Sequence, residues 1–281
     1  MEETIRVATR ESKLALKQYV IVEKLLTGNG IKVSRFGVTS AGDLDRHSPL
    51  YESGGTGLFV RNLNRMVLDG AVDAAVHSAK DIPGEICDGL TISYFSERAD
   101  VRDYFVSPAT LDDYSGTVGS SSIRRRNFLS FEKEGLRFVN IRGNIETRLR
   151  KWKDGEVGAL VIAKAALDRL GISVPGHPIP EAVSPPAPNQ GFIAVVTREG
   201  SREDSLFRKL QDDAPLWEAR AERDLMRRLG AGCSIPIAIR AHFSSRTVKV
   251  SYADDGRRYD FSFKVPITDL DVRLIRGVID A

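Results

Sequence analysis

Ile5-Arg6-Val7-Ala8 reads as a strand. From about Ser12 the apolar residues take helical spacing, with Leu14, Leu16, Val20, Ile21 and Leu25 on the apolar side, until Gly28-Asn29-Gly30 stops the helix. Ile31 to Val38 alternates as a second strand. Leu58, Leu63, Met66 and Val67 mark a second helix, stopped by Asp69-Gly70, and Ala74-Ala75-Val76 is a short buried strand. This β-α-β-α-β rhythm predicts a mostly parallel α/β sheet.

The rhythm restarts after Glu97. Tyr104-Phe105-Val106 and Thr117-Val118-Gly119 read as strands, followed by a helix near Arg124–Glu134 that ends at Gly135. Leu136 to Ile141 is a strand, a short helix follows Asn144, Ala159–Ile162 is a strand, and Ala163–Leu170 is a helix with Gly171 as its stop. The two α/β halves are similar in size but show no residue-level repeat. Six of the twelve prolines fall between Pro175 and Pro188, which predicts a loop or linker. Phe192–Val196 is a strand that could return to the first half. From about Leu206 the character changes, and a long amphipathic helix ends at Arg227-Arg228-Leu229-Gly230. Strands at Ile235–Ala241, Thr247–Tyr252 and Tyr259–Val265 follow, the last two joined by an Asp255-Gly256 turn, and Leu270–Ile279 closes as a helix. That is the pattern of a small α+β domain with an antiparallel sheet.

A length of 281 residues suits two or three domains, and 42% hydrophobic with 28% charged residues is ordinary for a globular protein. No apolar run is long enough to span a membrane, and Met1-Glu2-Glu3-Thr4-Ile5-Arg6 lacks the basic-then-apolar order of a secretory signal. Two cysteines, Cys87 and Cys233, are too few for a disulfide scaffold. A reduced, cytoplasmic protein is the expectation. Four scattered histidines show no metal-ligand spacing, so no metal is expected. Charge changes the picture more. Thr117–Lys153 holds 10 Lys/Arg against 3 Asp/Glu, a net of +7 in a chain whose total is +3.

That basic stretch contains Ser120-Ser121-Ser122-Ile123-Arg124-Arg125-Arg126 and Arg142-Gly143-Asn144-Ile145-Glu146-Thr147-Arg148, each between a strand and a helix. Hydroxyls, helix N-terminal N–H groups and forked guanidinium groups at one end of a sheet suit a ligand with several carboxylates or phosphates. His77-Ser78-Ala79-Lys80-Asp81-Ile82-Pro83 follows a buried strand, at the carboxyl end where open α/β sheets bind ligands. Asp81 there could stabilise a cation or move a proton, or merely cap a turn beside a solvated Lys80. Cys233, among small residues in Gly230-Ala231-Gly232-Cys233-Ser234, could be a covalent anchor or a small buried hydrophobe. Cys87, between acidic neighbours, reads as structural. Asp45–Gly57 is a glycine-rich segment that reads equally as a lid or a plain loop. No GxGxxG or GxxxxGK[ST] pattern supports nucleotide binding.

Taken together, these segments resemble the porphobilinogen deaminase (hydroxymethylbilane synthase) family. The resemblance rests on Ala8-Thr9-Arg10-Glu11-Ser12-Lys13-Leu14-Ala15 with Gln18, Gly57-Leu58-Phe59, His77–Pro83, Ser121–Arg125, Arg142-Gly143-Asn144 with Thr147-Arg148, and Gly232-Cys233 with Pro236, all in the family's order. It implies two periplasmic-binding-protein-like α/β lobes plus a small α+β C-terminal domain with an antiparallel sheet. Lobe 1 would be residues 1–96 and 190–205, lobe 2 residues 97–189, and the cofactor-anchoring domain residues 206–281.

The resemblance also implies a transferase. Four porphobilinogen units would be condensed head to tail on a dipyrromethane cofactor bound to Cys233 through a thioether, with release of ammonia and of linear hydroxymethylbilane. Lys80, Asp81, Ser122, Arg124, Arg125 and Arg148 would bind the cofactor. Arg10, Ser12, Gln18, Phe59, Arg142 and Arg169 would bind porphobilinogen, and Asp81 would be catalytic. A cytoplasmic monomer is implied, with neither nucleic acid nor membrane as partner. Three positions depart from the family's usual pattern: Thr56 for a lysine, Asn189 for the first glycine of Gly-Gln-Gly, and Ala231 for a glycine.

The rival reading is a non-catalytic two-lobed anion-binding module, which needs neither Asp81 nor Cys233. A nucleic-acid binder could use the +7 stretch, but no aromatic platform accompanies it.

Overall fold

The computed structural model describes residues 4–38, 55–230, 235–254 and 256–280, with only the backbone for 55–58. Two compact units emerge: Met1–Ala99 with Gly191–Leu216, and Asp100–Gln190 with Trp217–Ala281.

In the first unit, strands β1 (Ile5–Arg10), β2 (Val33–Val38), β3 (Ala74–Ser78), β4 (Leu90–Phe95) and β10 (Ile193–Arg198) form a sheet of order β2-β1-β3-β10-β4. The β1–β2 and β1–β3 pairs are parallel, whereas β10 runs antiparallel to both β3 and β4. Helix α1 (Lys13–Gly28) starts on Ser12, whose hydroxyl accepts from the Ala15 N–H. Its buried residues are Gln18, Tyr19, Val22 and Leu26. The apolar side expected from Val20 and Ile21 is wrong: both are exposed. They lie roughly 100° to 200° around the helix from Val22, and the core-facing stripe runs through Gln18 and Tyr19 instead. Helix α2 (Gly55–Leu68) includes Gly55, Thr56 and Gly57 in its first turn. The rest of the expected Asp45–Gly57 segment lies outside the described residues, so the lid reading does too. Cys87, expected to be structural, is exposed and packs into no core.

The second unit repeats the layout. Strands β5 (Asp103–Val106), β6 (Thr117–Gly119), β7 (Arg137–Val139), β8 (Ala159–Ala163) and β9 (Gly176–Pro178) are ordered β7-β6-β8-β5-β9. Again four strands share one direction, and the reversed one (β5) is the one entered as the chain crosses from the other unit. Helices α3 (Ile123–Glu132), α4 (Ile145–Lys153) and α5 (Lys164–Leu170) follow β6, β7 and β8. Gly171 closes α5 in the left-handed conformation.

Helices α6 (Arg202–Lys209) and α7 (Asp213–Leu229) precede the antiparallel sheet β11 (Ile237–His242), β12 (Thr247–Asp254) and β13 (Arg257–Lys264), and α8 (Asp269–Ile279) ends it. Leu225, Leu229, Ile239, Val250, Val272 and Ile275 form the core here. This sheet also receives α3: Phe128 packs on Ala238 and Ala253, and the Asn127 amide donates to the Ala253 carbonyl at 2.8 Å and to Asp254 at 2.9 Å. The helix that begins at the arginines is thus fixed to the C-terminal sheet by its far side. Among the described residues no helix is long and apolar enough to cross a membrane.

Candidate functional site

In the first unit, chemistry gathers where β1 and β3 end. Arg10 closes β1, and its guanidinium lies 4.2 Å above the Phe59 ring. Facing a π surface holds the charge in place without neutralising it. Gln18, 3% exposed, donates to the Ser78 hydroxyl at 2.8 Å, tying α1 to the last residue of β3. A tight 3-10 turn, Ala79–Asp81, then presents Lys80 and Asp81, and the Ala79 N–H donates to the Phe192 carbonyl. Beneath the turn, His77 Nε2 meets Asn64 Oδ1 at 3.0 Å, both buried. Burial, with a smaller push from Arg10, lowers the His77 pKa to about 4, so the imidazole is neutral at pH 7.

In the second unit, Ser122 caps α3 by accepting from the Arg125 N–H, and Ser121 donates to the Ile141 carbonyl at 2.6 Å. Asn144 caps α4 at Thr147. Gly143 sits at φ 105 with Thr147 Cβ only 2.7 Å from where its own Cβ would be, so the turn after Arg142 requires glycine. Arg148 Nε donates back to the Gly143 carbonyl at 2.8 Å. Arg169, on α5, has its pKa lowered to about 10 by burial and stays charged at pH 7.

Arg124 and Arg125 are 6% and 8% exposed. They share one carboxylate: Arg124 Nη2 donates to Asp103 Oδ2 at 2.8 Å and Arg125 Nη2 to Oδ1 at 2.7 Å. Ser184 and Gln190 add bonds to the same oxygens at 2.9 and 3.0 Å. Arg124 Nη1 also donates to the Pro185 carbonyl, and Arg125 Nη1 to Val161 at 3.1 Å. Burial alone would raise the Asp103 pKa, but the two guanidinium charges outweigh it and hold the carboxyl well below the usual range. Asp103 and its partners Ser184 and Gln190 were not among the expected site residues. A lone acid opening the apolar run Tyr104-Phe105-Val106 was the signal for the first.

Asn189 takes φ 58, which explains why glycine suits that position. Its side chain is used all the same, donating to the Ala219 carbonyl at 3.1 Å and to buried Glu222 at 3.2 Å. Cys233 and Ala231 lie outside the described residues.

The family model for "Porphobilinogen deaminase, dipyromethane cofactor binding domain" matches residues 5–205, and the one for "Porphobilinogen deaminase, C-terminal domain" matches residues 216–251. The chain belongs to the porphobilinogen deaminase family. As a porphobilinogen deaminase it is a transferase of tetrapyrrole biosynthesis, with porphobilinogen as substrate and a dipyrromethane cofactor-binding domain.

Among its relatives is a "Probable porphobilinogen deaminase" of Picrophilus torridus, 42% identical over 240 residues, covering 85% of each chain. The "Porphobilinogen deaminase" of Campylobacter curvus is 34% identical over 256 residues, covering 88% of this chain and 82% of its own. Among solved structures, the Bordetella pertussis BvgS periplasmic VFT2 domain aligns over 80% of this chain and 92% of its own, at 16% identity and a TM-score of 0.44. The methionine-binding protein MetQ aligns over 78% and 94%, at 15% identity and 0.44.

Proposed function

We propose that the chain holds its dipyrromethane through a thioether to Cys233 and condenses four porphobilinogen units on it before hydrolysis frees the linear tetrapyrrole. The observation that carries this reading is the buried pair Arg124–Arg125. Two guanidinium groups against one carboxylate leave a net positive charge, and the Nε–H of each arginine is buried without a protein acceptor. A buried cluster of that kind fits a group carrying carboxylates. When bound, the dipyrromethane supplies the primer and its pyrrole nucleophile.

The remaining work falls to the chain's own residues. Arg124, Arg125 and Arg148, with Ser122 and Lys80, hold the primer's carboxylates. Arg10, Arg142 and Arg169 bind the acetate and propionate of incoming porphobilinogen, with Ser12, Gln18 and Phe59 orienting it. Loss of ammonia breaks the substrate's C–N bond and leaves a cation. The Asp81 carboxylate stabilises that cation and takes part in moving the proton released when the new C–C bond forms. A cytoplasmic monomer is part of the same reading and follows from family resemblance alone.

The test is the intact mass of protein purified from cells, followed by peptide mapping. Extra mass of two linked pyrrole units on Cys233 is the expected result. An unmodified Cys233 that acquires nothing on incubation with porphobilinogen would overturn the covalent anchor.

A further inference from the structure

The repeated topology allows the two units to be compared residue by residue. In the first, Ile193 opens the antiparallel strand and pairs with Ser78, the last residue of the third parallel strand. In the second, Asp103 opens the antiparallel strand and pairs with Ala163, again the last residue of the third parallel strand. Neighbouring bonds match as well: the Ala79 N–H donates to the Phe192 carbonyl, and the Lys164 N–H to the Arg102 carbonyl. After the first parallel strand of each sheet, a serine caps a helix by accepting from the residue three further on, Ser12 from Ala15 and Ser122 from Arg125. Counted from these serines, Arg124 and Arg125 correspond to Leu14 and Ala15.

The same architecture therefore forms with Leu14, Ala15 and Ile193 in one unit and with Arg124, Arg125 and Asp103 in the other. The fold does not require the charges. Desolvating three ions is costly, and apolar groups of similar volume usually serve stability as well or better. We propose that Asp103 is the positioning residue of the cofactor site, one carboxylate that locks both arginines and leaves their Nε–H groups for the bound anion. This rests on the reading that Arg124 and Arg125 hold cofactor carboxylates. With Nη2 of each arginine on Asp103 and Nη1 on a backbone carbonyl, neither guanidinium can turn. Removing the carboxylate frees both groups to turn and leaves two like charges buried together.

The experiment compares wild type, Asp103→Asn, Asp103→Glu and Ser184→Ala as full chains purified from cells. Three quantities are read: two-pyrrole adduct occupancy by intact mass, thermal melting, and kcat and KM for porphobilinogen per mole of adduct. For Asp103→Asn we expect occupancy or kcat per adduct to fall about tenfold to a hundredfold, with KM within about twofold of wild type. Asp103→Glu, which restores the charge, recovers part of the loss. A merely structural Asp103 would lower melting and yield but leave both occupancy and kcat per adduct unchanged. Folded Asp103→Asn with wild-type occupancy and wild-type kcat overturns the proposal. Where Asp103→Asn does not fold, Ser184→Ala decides, since it deletes one hydroxyl that bonds both Asp103 and Arg124. A lower kcat per adduct at unchanged melting supports positioning, and unchanged kcat refutes it. If wild type itself carries no adduct and gains none from porphobilinogen, the functional reading fails instead, and the two failures are distinct.

Discussion

The two α/β units share strand order, strand direction and the serine that caps the first helix, yet they hold their strand-end chemistry in opposite ways. Under the Lys80–Asp81 turn, the first unit uses neutral groups: His77 on Asn64 and Gln18 on Ser78. Under the Ser122 cap, the second uses a buried ionic cluster of net positive charge, Asp103 with Arg124 and Arg125. A charged support presents a permanent attraction for carboxylates. On the proposed reading, the difference teaches that a repeated scaffold can divide labour, one unit placing a reactive carboxylate and the other gripping anions.

The largest effect should come from the first unit. Asp81→Ala is expected to lower turnover by roughly a thousandfold, while melting and adduct occupancy stay near wild type. A steady-state porphobilinogen assay on the adduct-loaded variant checks this. Near-normal activity would remove Asp81 from the chemistry and with it the division of labour.

Next is a transplant that makes the second unit resemble the first. Asp103→Leu, Arg124→Met and Arg125→Met together replace the cluster with apolar groups of similar volume. The variant should fold with stability within about 2 kcal/mol of wild type and carry no adduct. Denaturant unfolding and intact mass read the two quantities. A loss of stability beyond about 4 kcal/mol would show that the cluster is a fold staple. Arg124→His alone should be less stable than this triple variant, because it leaves Asp103 with half its ionic support. It too should fail to retain adduct.

The third prediction concerns pH. His77 has an ordinary pKa near 6.5 when unfolded and about 4 in the fold, lowered first by burial and then by Arg10. As pH falls below 6.5 the unfolded chain takes up the proton before the folded one does. Stability is therefore complete above that value and drains away between 6.5 and 4, by about 3 kcal/mol for this group. Urea unfolding across that range should show the slope, and His77→Gln, which still has an N–H for Asn64, should flatten it. An unchanged slope would assign the acid sensitivity elsewhere, His242 being the alternative because burial lowers its pKa below the usual imidazole value too.

Much of the scaffold was legible in local pattern. Capping serines, helix-stopping glycines and the parallel-strand rhythm are short-range signals, and they marked β1, β3, β6, β8 and the three C-terminal strands. The buried stripe of α1 was misread because Gln18 and Tyr19 carry polar atoms that are bonded or edge-placed in the fold, which a hydrophobic count cannot foresee. Strand β4 alternates visibly as Leu90-Thr91-Ile92-Ser93-Tyr94-Phe95 and could have been found. Strand β9 is three residues inside a proline-rich loop and could not. At the site, the arginines announced themselves by density of charge. Their partner did not, because Asp103 lies 21 residues from Arg124 and is brought to it only by the β5–β8 pairing. Nothing local distinguishes a carboxylate that binds two guanidinium groups from one that meets water.

The smallest prediction tests the correspondence on which the comparison stands. Ser12→Ala and Ser122→Ala each remove a hydroxyl that accepts from a helical N–H at 3.4 Å. Each should cost about 1 kcal/mol of stability, since the capping geometry is the same in both units. Their functional effects should differ, because Ser122 begins the helix that carries the arginines proposed to hold the primer, whereas Ser12 begins one whose matching positions are Leu14 and Ala15. Denaturant melts should therefore agree within error, while adduct occupancy falls only for Ser122→Ala and KM for porphobilinogen rises only for Ser12→Ala. Equal stability losses with the functional effects exchanged would keep the shared topology but reverse which unit holds primer and which holds substrate.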